Sequence, residues 1–340
     1  MNKTTKAKYD LATRMLKVDI SIDEVALMSG LTIDEIEKLK AGIEPEEIMT
    51  INGSQEGMAH IAWALCNPGD VVLTPNPGYP IFSIGPSLCG ADVRTYPLYR
   101  ENGFLPKLSD IPEETAKAAK YMLVSYPLNP VCATANDAFY EELIAFAKKY
   151  NIIILHDNAY SDIIYGGREG KSFLSYEGAK EVGVEFYSLS KSYNLTGARI
   201  SFVIGNQKIV DKFRSVRTQF DYGVFLPLQY GAAAALNGPQ DAVVAQCEEY
   251  ERRNQAFCGG LRSIGWDVPD SEGTMFVWAP VPKGHGTSEE FCMELMEKAG
   301  VIVTPGASFG PHGEGYVRFA LVLPPEKIKE VVEAIRRSGL

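Results

Sequence analysis

The chain has 340 residues, 46% of them hydrophobic and 22% charged, and a formal net charge of −10. Its length suggests about two domains, and its acidity argues against a nucleic-acid partner, which needs basic stripes to displace counterions from phosphates. No run approaches the roughly 20 apolar residues of a membrane span, and the N-terminus lacks the apolar core of a secretory signal.

The six cysteines and four histidines are scattered, with no metal-site spacing. The expectation is a cytoplasmic protein with no membrane partner, no nucleic-acid partner and no metal.

Along the chain, residues 1–45 stand apart. The stretch "ISIDEVALMSGLTIDEIEKLK" reads as two short helices around Gly30, with Thr32 capping the second. Lys17, Lys38 and Lys40 are outnumbered there by Asp19, Asp23, Glu24, Asp34, Glu35 and Glu37. That is the wrong sign for approaching phosphates, so the hairpin reads as a packing or capping element.

From residue 48 short apolar runs alternate with amphipathic stretches. Strands are expected at "IMTIN" (48–52), "VVLT" (71–74), "VRTYPL" (93–98), "YMLVSY" (121–126), "IIILHD" (152–157), "FYSLS" (186–190) and "ISFVIG" (200–205). Helices between them include "EGMAHIAWALC" and "DAFYEELIAFAKKY", the second with Asn136 as N-cap. This alternation predicts an α/β fold, a mainly parallel sheet covered by helices on both faces, over residues 46–239. From 240 to 340 a long helix, the strands "TMFVWAPV" and "YVRFALV" and two further helices predict a smaller α+β domain.

Ligands on such sheets sit at the carboxyl ends of the strands, and four ends carry polar residues. "GSQEG" follows the first strand; it reads either as an anion-binding turn or as an ordinary N-cap. Asn129 in "PLNP", taken alone, reads as a turn residue before proline. Asp157 ends a run apolar enough to be buried on both faces. It reads either as an N-cap or as an ion in need of a partner, for which a protonated ring nitrogen would serve. Tyr160 follows three residues later. In "SLSKSYNLTGAR", Lys191 is either a solvated loop lysine or the covalent anchor of a cofactor whose phosphate Ser188 and Arg199 hold.

S-x-S-K followed by T-G-x-R, with D-x-x-Y upstream, resembles the class I/II aminotransferases of fold type I, which use pyridoxal 5'-phosphate. The resemblance covers roughly residues 46–338. "HDNAYSDIIYGG", "SFLSYEGAKEVGVEFYSLSKSYN" and "GEGYVRFALV" are most similar to LL-diaminopimelate aminotransferases and related alanine- or glutamate-using enzymes.

The resemblance implies that Lys191 holds the cofactor and moves the substrate proton. It implies that Asp157 keeps the ring nitrogen protonated, and that Asn129 and Tyr160 bind the ring oxygen. Ser54, Gln55, Ser188, Ser190 and Arg199 would cradle the phosphate, Tyr79 in "NPGYPIF" would stack on the ring, and Arg318 in "YVRFAL" would grip the substrate carboxylate. It further implies amino-acid and 2-oxo-acid substrates and a homodimer.

Three departures from the family pattern stand out. Val131-Cys132 follow Asn129-Pro130 where the family has Thr-Gly, so the turn is expected to differ. Ala198 and Ser201 replace a bulky residue before Arg199 and a glycine after it, which is expected to loosen packing. The hairpin stands where relatives carry a longer arm with a substrate-covering segment and a tyrosine that reaches the partner's phosphate; Tyr9 is a remote candidate for that tyrosine. Two other readings share the same residues: a carbon–sulfur lyase on this cofactor, and a non-catalytic cofactor-binding or regulatory protein.

Overall fold

The computed structural model describes Lys8, residues 21–33 and residues 42–339. The chain divides into two compact units, Met1–Ile48 and Met49–Leu340. In the first, the expected helix is present at Ile22–Ser29. Ser21 caps its N-terminus and Gly30, at φ +66°, ends it. The second helix of the expected hairpin falls from residue 34 onward outside the described residues, as does Tyr9.

Seven strands form one sheet: β1 (Ile48–Ile51), β2 (Val71–Asn76), β3 (Asp92–Pro97), β4 (Ala119–Ser125), β5 (Ile153–Asn158), β6 (Gly183–Ser188) and β7 (Ser201–Gly205). Each lies within a few residues of its sequence expectation. Their order is β1-β7-β6-β5-β4-β2-β3. The pairings of β2 with β3 and β4, of β4 with β5 and of β5 with β6 are parallel, whereas β6 and β7 run antiparallel.

The central strands are buried along nearly their whole length, as parallel strands covered on both faces must be. The edge strand β3 instead carries exposed charge, with Arg94 paired to Asp92 at 2.9 Å. Such charges blunt an open sheet edge against further pairing.

Helix Asp137–Tyr150 has the expected span, and Asn136 Oδ1 accepts from the Phe139 N–H at 2.9 Å. Beyond residue 240, helix Asp241–Ser263 packs on helix Pro325–Ser338. A second, antiparallel sheet has the order β8-β10-β9, with β8 (Phe276–Pro280), β9 (Thr304–Pro305) and β10 (Tyr316–Ala320). The two-residue β9 is too short to leave a periodic trace in the sequence. Among the described residues, no helix is long and apolar enough to cross a membrane.

Helix Ser54–Leu65 lies against the sheet so closely that Gly57 has no room for a side chain. An added Cβ would sit 2.5 Å from Ile51 Cδ1 and 2.9 Å from Phe186 Cε1, and both side chains are fully buried. In an open helix, alanine for glycine stabilises by roughly 0.5–1 kcal/mol. Here Gly57→Ala is expected to destabilise by roughly 1–2 kcal/mol through overpacking. Thermal melts read the sign, and a raised Tm would contradict this packing.

Candidate active site

The parallel register sets the floor of the site. Ser125 pairs with Asp157, Asp157 with Phe186, and Ser188 faces Ser201 across the antiparallel pair. Over these strand ends opens a cleft of about 240 Å³. Ser54, Gln55, Tyr79, Asn129, Asp157, Tyr160, Ser188, Ser190, Lys191, Arg199 and Arg318 all line it. The eleven residues to which the resemblance gives a cofactor or substrate role are thus brought to one place, together with Met58, Phe82, Ser125 and Phe276.

One half of the cleft is built for an anion. Gly53, at φ +94°, leads into helix Ser54–Leu65, whose first backbone N–H groups have no intrahelical acceptors. Arg199 packs so tightly against Gly53 that a Cβ there would overlap its Nη2. Arg199 itself takes a left-handed backbone, φ +53°, and its Nη1 donates to the Thr196 carbonyl at 3.1 Å. Ser54 Oγ is buried without a partner among the described residues. Gln55 Oε1 accepts from the Tyr79 hydroxyl at 3.0 Å.

The expected strand through Ser190 stops at Ser188. Ser188 Oγ accepts from the Ser190 N–H at 3.2 Å, which turns the chain into the one-turn helix Leu189–Ser192. Lys191 therefore sits inside that turn, with its carbonyl held by Gln246 Nε2 at 2.5 Å. Ser201 was expected to loosen this region. It is instead fully buried, and its hydroxyl donates to Ser188 Oγ at 2.8 Å, which leaves the Ser188 O–H free to donate.

Asp157 lies opposite. It is buried, and its Oδ1 has no hydrogen-bond partner among the described residues. Burial pushes its carboxyl up to about 7, Glu185 adds to that, and the Ala159 backbone N–H and Lys191 act against it. Lys191 is shifted the other way: burial lowers its ammonium pKa, and Arg199 and Arg318 lower it further. Burial and the positive charge of two nearby guanidinium groups thus disfavour the ammonium form of Lys191.

Arg318 projects from β10, the middle strand of the small sheet. Its guanidinium lies between the rings of Phe276 and Phe309, 4.2 and 4.6 Å from their centroids. Nη1 donates to Asn129 Oδ1 at 2.7 Å and Nη2 to Thr304 Oγ1 at 3.3 Å, while Nε is buried without a partner among the described residues. Asn129 thus spends its oxygen on Arg318 and keeps its amide N–H groups as donors. Phe309 and Thr304 escaped the sequence reading because they come from other elements, with no spacing that ties them to Arg318.

The turn after Asn129 keeps a glycine-like shape despite its sequence. Cys132 adopts φ +63°, a left-handed conformation that side chains other than glycine seldom take. Its thiol is buried, donates towards the Phe276 carbonyl at 3.3 Å and accepts from Thr274 Oγ1 at 3.3 Å. Thr274 is itself left-handed, at φ +70°.

An anion cradle, a desolvated lysine, a buried carboxylate with one oxygen left unpartnered and a flat-held arginine at the strand ends of an α/β sheet define a group-transfer enzyme site. Residues 34–335 match the model of the family described as "Aminotransferase class I and II", and the chain belongs to that family. It is 44% identical over 295 residues to an LL-diaminopimelate aminotransferase from Desulforudis audaxviator, covering 86% of this chain and 75% of that one. A second LL-diaminopimelate aminotransferase, from Halothermothrix orenii, is 43% identical over 299 residues, 88% of this chain and 77% of its own.

Among solved structures, substrate-bound BacF from Bacillus subtilis matches with a TM-score of 0.85 and 38% identity, over 88% of this chain and 76% of that one. A probable N-succinyldiaminopimelate aminotransferase from Thermus thermophilus matches with a TM-score of 0.83 and 31% identity, over 99% of this chain and 85% of that one.

Burial of Asp157 has a measurable consequence in the cofactor-free protein. A carboxyl that titrates near 7 when folded, against an ordinary value of 3.8, favours the folded state below pH 4 and loses that contribution as pH rises to 7. Wild type is expected to lose roughly 2–4 kcal/mol relative to Asp157→Asn across that range. Urea unfolding at pH 4, 5.5 and 7 measures the difference, and parallel curves would show that the carboxyl is not desolvated.

Proposed function

We propose that this chain binds pyridoxal 5'-phosphate and exchanges an amino group between an L-amino acid and a 2-oxo acid. LL-diaminopimelate is the first donor to test, followed by glutamate and alanine. The observation that carries this reading is the pair formed by Lys191, lowered by burial and by Arg199 and Arg318, and Asp157, buried with an unpartnered oxygen, in one cleft. The named activity of the relatives adds to it, at 43–44% identity.

The residues present fit the cofactor. Ser54 Oγ, the N–H groups behind Gly53, Ser188, Ser190 and Arg199 suit a phosphate, with Gln55 beside them. Asp157 Oδ1 lacks the proton donor that a protonated ring nitrogen provides. Asn129 and Tyr160 would face the ring oxygen, and Tyr79 would cover a ring face. When bound, pyridoxal phosphate supplies a carbonyl carbon that captures the amino group and a ring that takes up the electron pair left at Cα.

The chain does the rest. Arg318, held flat by two rings and two hydrogen bonds, presents its guanidinium to the α-carboxylate and so fixes Cα relative to Lys191. Lys191 Nζ, whose ammonium form is disfavoured there, is the group that would move the proton at Cα. Asp157, once paired with a ring N–H, keeps its negative charge and holds that proton in place.

The reading includes a homodimer in the cytoplasm. Helix Leu226–Asn237 buries only Ala232; its own Leu226 and Tyr230, and Tyr222 and Phe225 just before it, stand exposed. Large apolar side chains exposed on one helix and the turn before it fit a second copy of the chain. All six cysteines are unpaired, in keeping with a reducing compartment.

Absorbance of the purified protein with pyridoxal phosphate tests the reading. Wild type is expected to show the band of covalently held cofactor, and Lys191→Ala to lack it. An amino donor should convert the band to that of the aminated cofactor, and a 2-oxo acid should restore it. A band that ignores every amino acid would overturn the proposed exchange, and pyruvate release from cystathionine without a 2-oxo acid would point to a lyase.

Arg318→Lys is expected to raise KM for amino donors about 100-fold with a smaller change in kcat, since lysine lacks the planar fork. Light scattering should give twice the chain mass, falling towards the monomer in Phe225→Asp/Tyr230→Asp.

A further inference from the structure

Asn76 ends β2, is almost wholly buried and lies three residues before Tyr79. Its side chain does not bond within its own sheet. Asn76 Oδ1 instead accepts from the His312 backbone N–H at 3.0 Å, and the Gly78 N–H donates to the Phe309 carbonyl at 2.9 Å. These two hydrogen bonds tie the end of β2 to the loop Gly306–Gly313, some 230 residues further along the chain.

The loop is shaped for this contact. Gly310, at φ +116°, lies against the amide: a Cβ there would be 2.5 Å from Asn76 Oδ1 and 3.1 Å from its Cγ. Within the loop, the Gly310 N–H donates to the Ala307 carbonyl and the Gly313 N–H to the Gly310 carbonyl, at 3.1 and 2.8 Å. A loop closed on itself in this way transmits a displacement at one point to the others. One of those points is Phe309, whose ring lies on the Arg318 guanidinium.

We propose that Asn76 is a positioning residue that clasps loop Gly306–Gly313 to the end of β2 and so sets Tyr79 and Arg318 at a fixed separation across the cleft. The inference rests on the roles proposed above for those two residues. Tyr79 follows Gly78 directly, so the same clasp anchors the ring-covering residue on one side and the ring that backs Arg318 on the other. The substrate carboxylate meets Arg318 while its amino group must reach the cofactor beneath Tyr79. A fixed separation therefore lets the α-carboxylate and the α-amino group, whose spacing is common to all α-amino acids, engage both sides of the cleft at once, and removes the need to order the loop during binding.

Asn76→Ala removes the acceptor and leaves the His312 N–H without a partner. KM for the amino donor is expected to rise about tenfold, the loss of one buried hydrogen bond, with kcat changed by less than about threefold. Asn76→Asp keeps an acceptor of the same shape and is expected to restore KM to within about threefold of wild type. Gly310→Ala drives a methyl group into the Asn76 amide and should raise KM without touching Asn76. The double variant Asn76→Ala/Gly310→Ala should fall short of the summed effects, because the clashing partner is gone.

Amide hydrogen exchange on the cofactor-free protein reads the clasp without activity. In Asn76→Ala, residues 76–82 and 306–313 should together exchange about tenfold faster, while β4, β5 and β6 stay protected. Faster exchange confined to 306–313, faster exchange everywhere, or an unchanged KM in an active variant would each overturn the proposal. If wild type converts no amino acid, the proposed function fails on its own account, and the exchange pattern alone decides whether Asn76 couples the two segments.

Discussion

The shared parallel register of β4, β5 and β6 is the constraint on which the site depends. It aligns the three strands so that Ser125, Asp157 and Phe186 lie side by side, with β5 and β6 running one and two residues further. Shifting a strand by one residue would turn its side chains to the opposite face and carry Asp157 away from the cleft. The apolar runs hold that register, because both faces of these strands are buried. Hydrophobic burial thus fixes where a carboxylate sits, at a position where the carboxylate itself is costly.

The electrostatics follow from that placement. Lys191, Arg199 and Arg318 share the cleft with Asp157. Burial disfavours charge on Asp157 and on Lys191 alike, pushing the carboxyl up and the ammonium down. Without a ligand, acid and base are both drawn towards neutrality. A dianionic phosphate beside Arg199, a carboxylate beside Arg318 and a protonated ring nitrogen beside Asp157 would supply the missing counter-charges.

The small sheet completes the site through side chains rather than through its backbone. Phe276 from β8 and Phe309 from the loop before β10 hold Arg318 flat, and Asn129 links it to the large sheet. The segment that leads to Phe276 is fastened to the turn after Asn129 by the Cys132 thiol and by the Glu272 N–H, which donates to the Cys132 carbonyl at 3.0 Å. Cys132 and Thr274, both left-handed, carry backbone strain at this seam. Such strain persists only where the surrounding contacts over-determine it.

What the sequence determined by itself was local and periodic. Alternation of apolar runs with amphipathic stretches placed the seven strands of the main sheet, and the polar residues at their ends marked Asn129, Asp157 and Lys191, because burying a strand makes any polar residue at its mouth conspicuous. Motif order marked Arg199, Arg318 and the anion turn. Tertiary structure decided what spacing cannot carry. The Ser188 hydroxyl ends β6 early and turns Lys191 into a helix. Ser201 braces that serine instead of loosening it. Cys132 keeps a glycine's conformation, and Phe309, Thr304 and Asn76 reach the site from distant parts of the chain. Each of these depends on contacts between elements far apart in sequence, and a pattern along one dimension holds no record of which faces will meet.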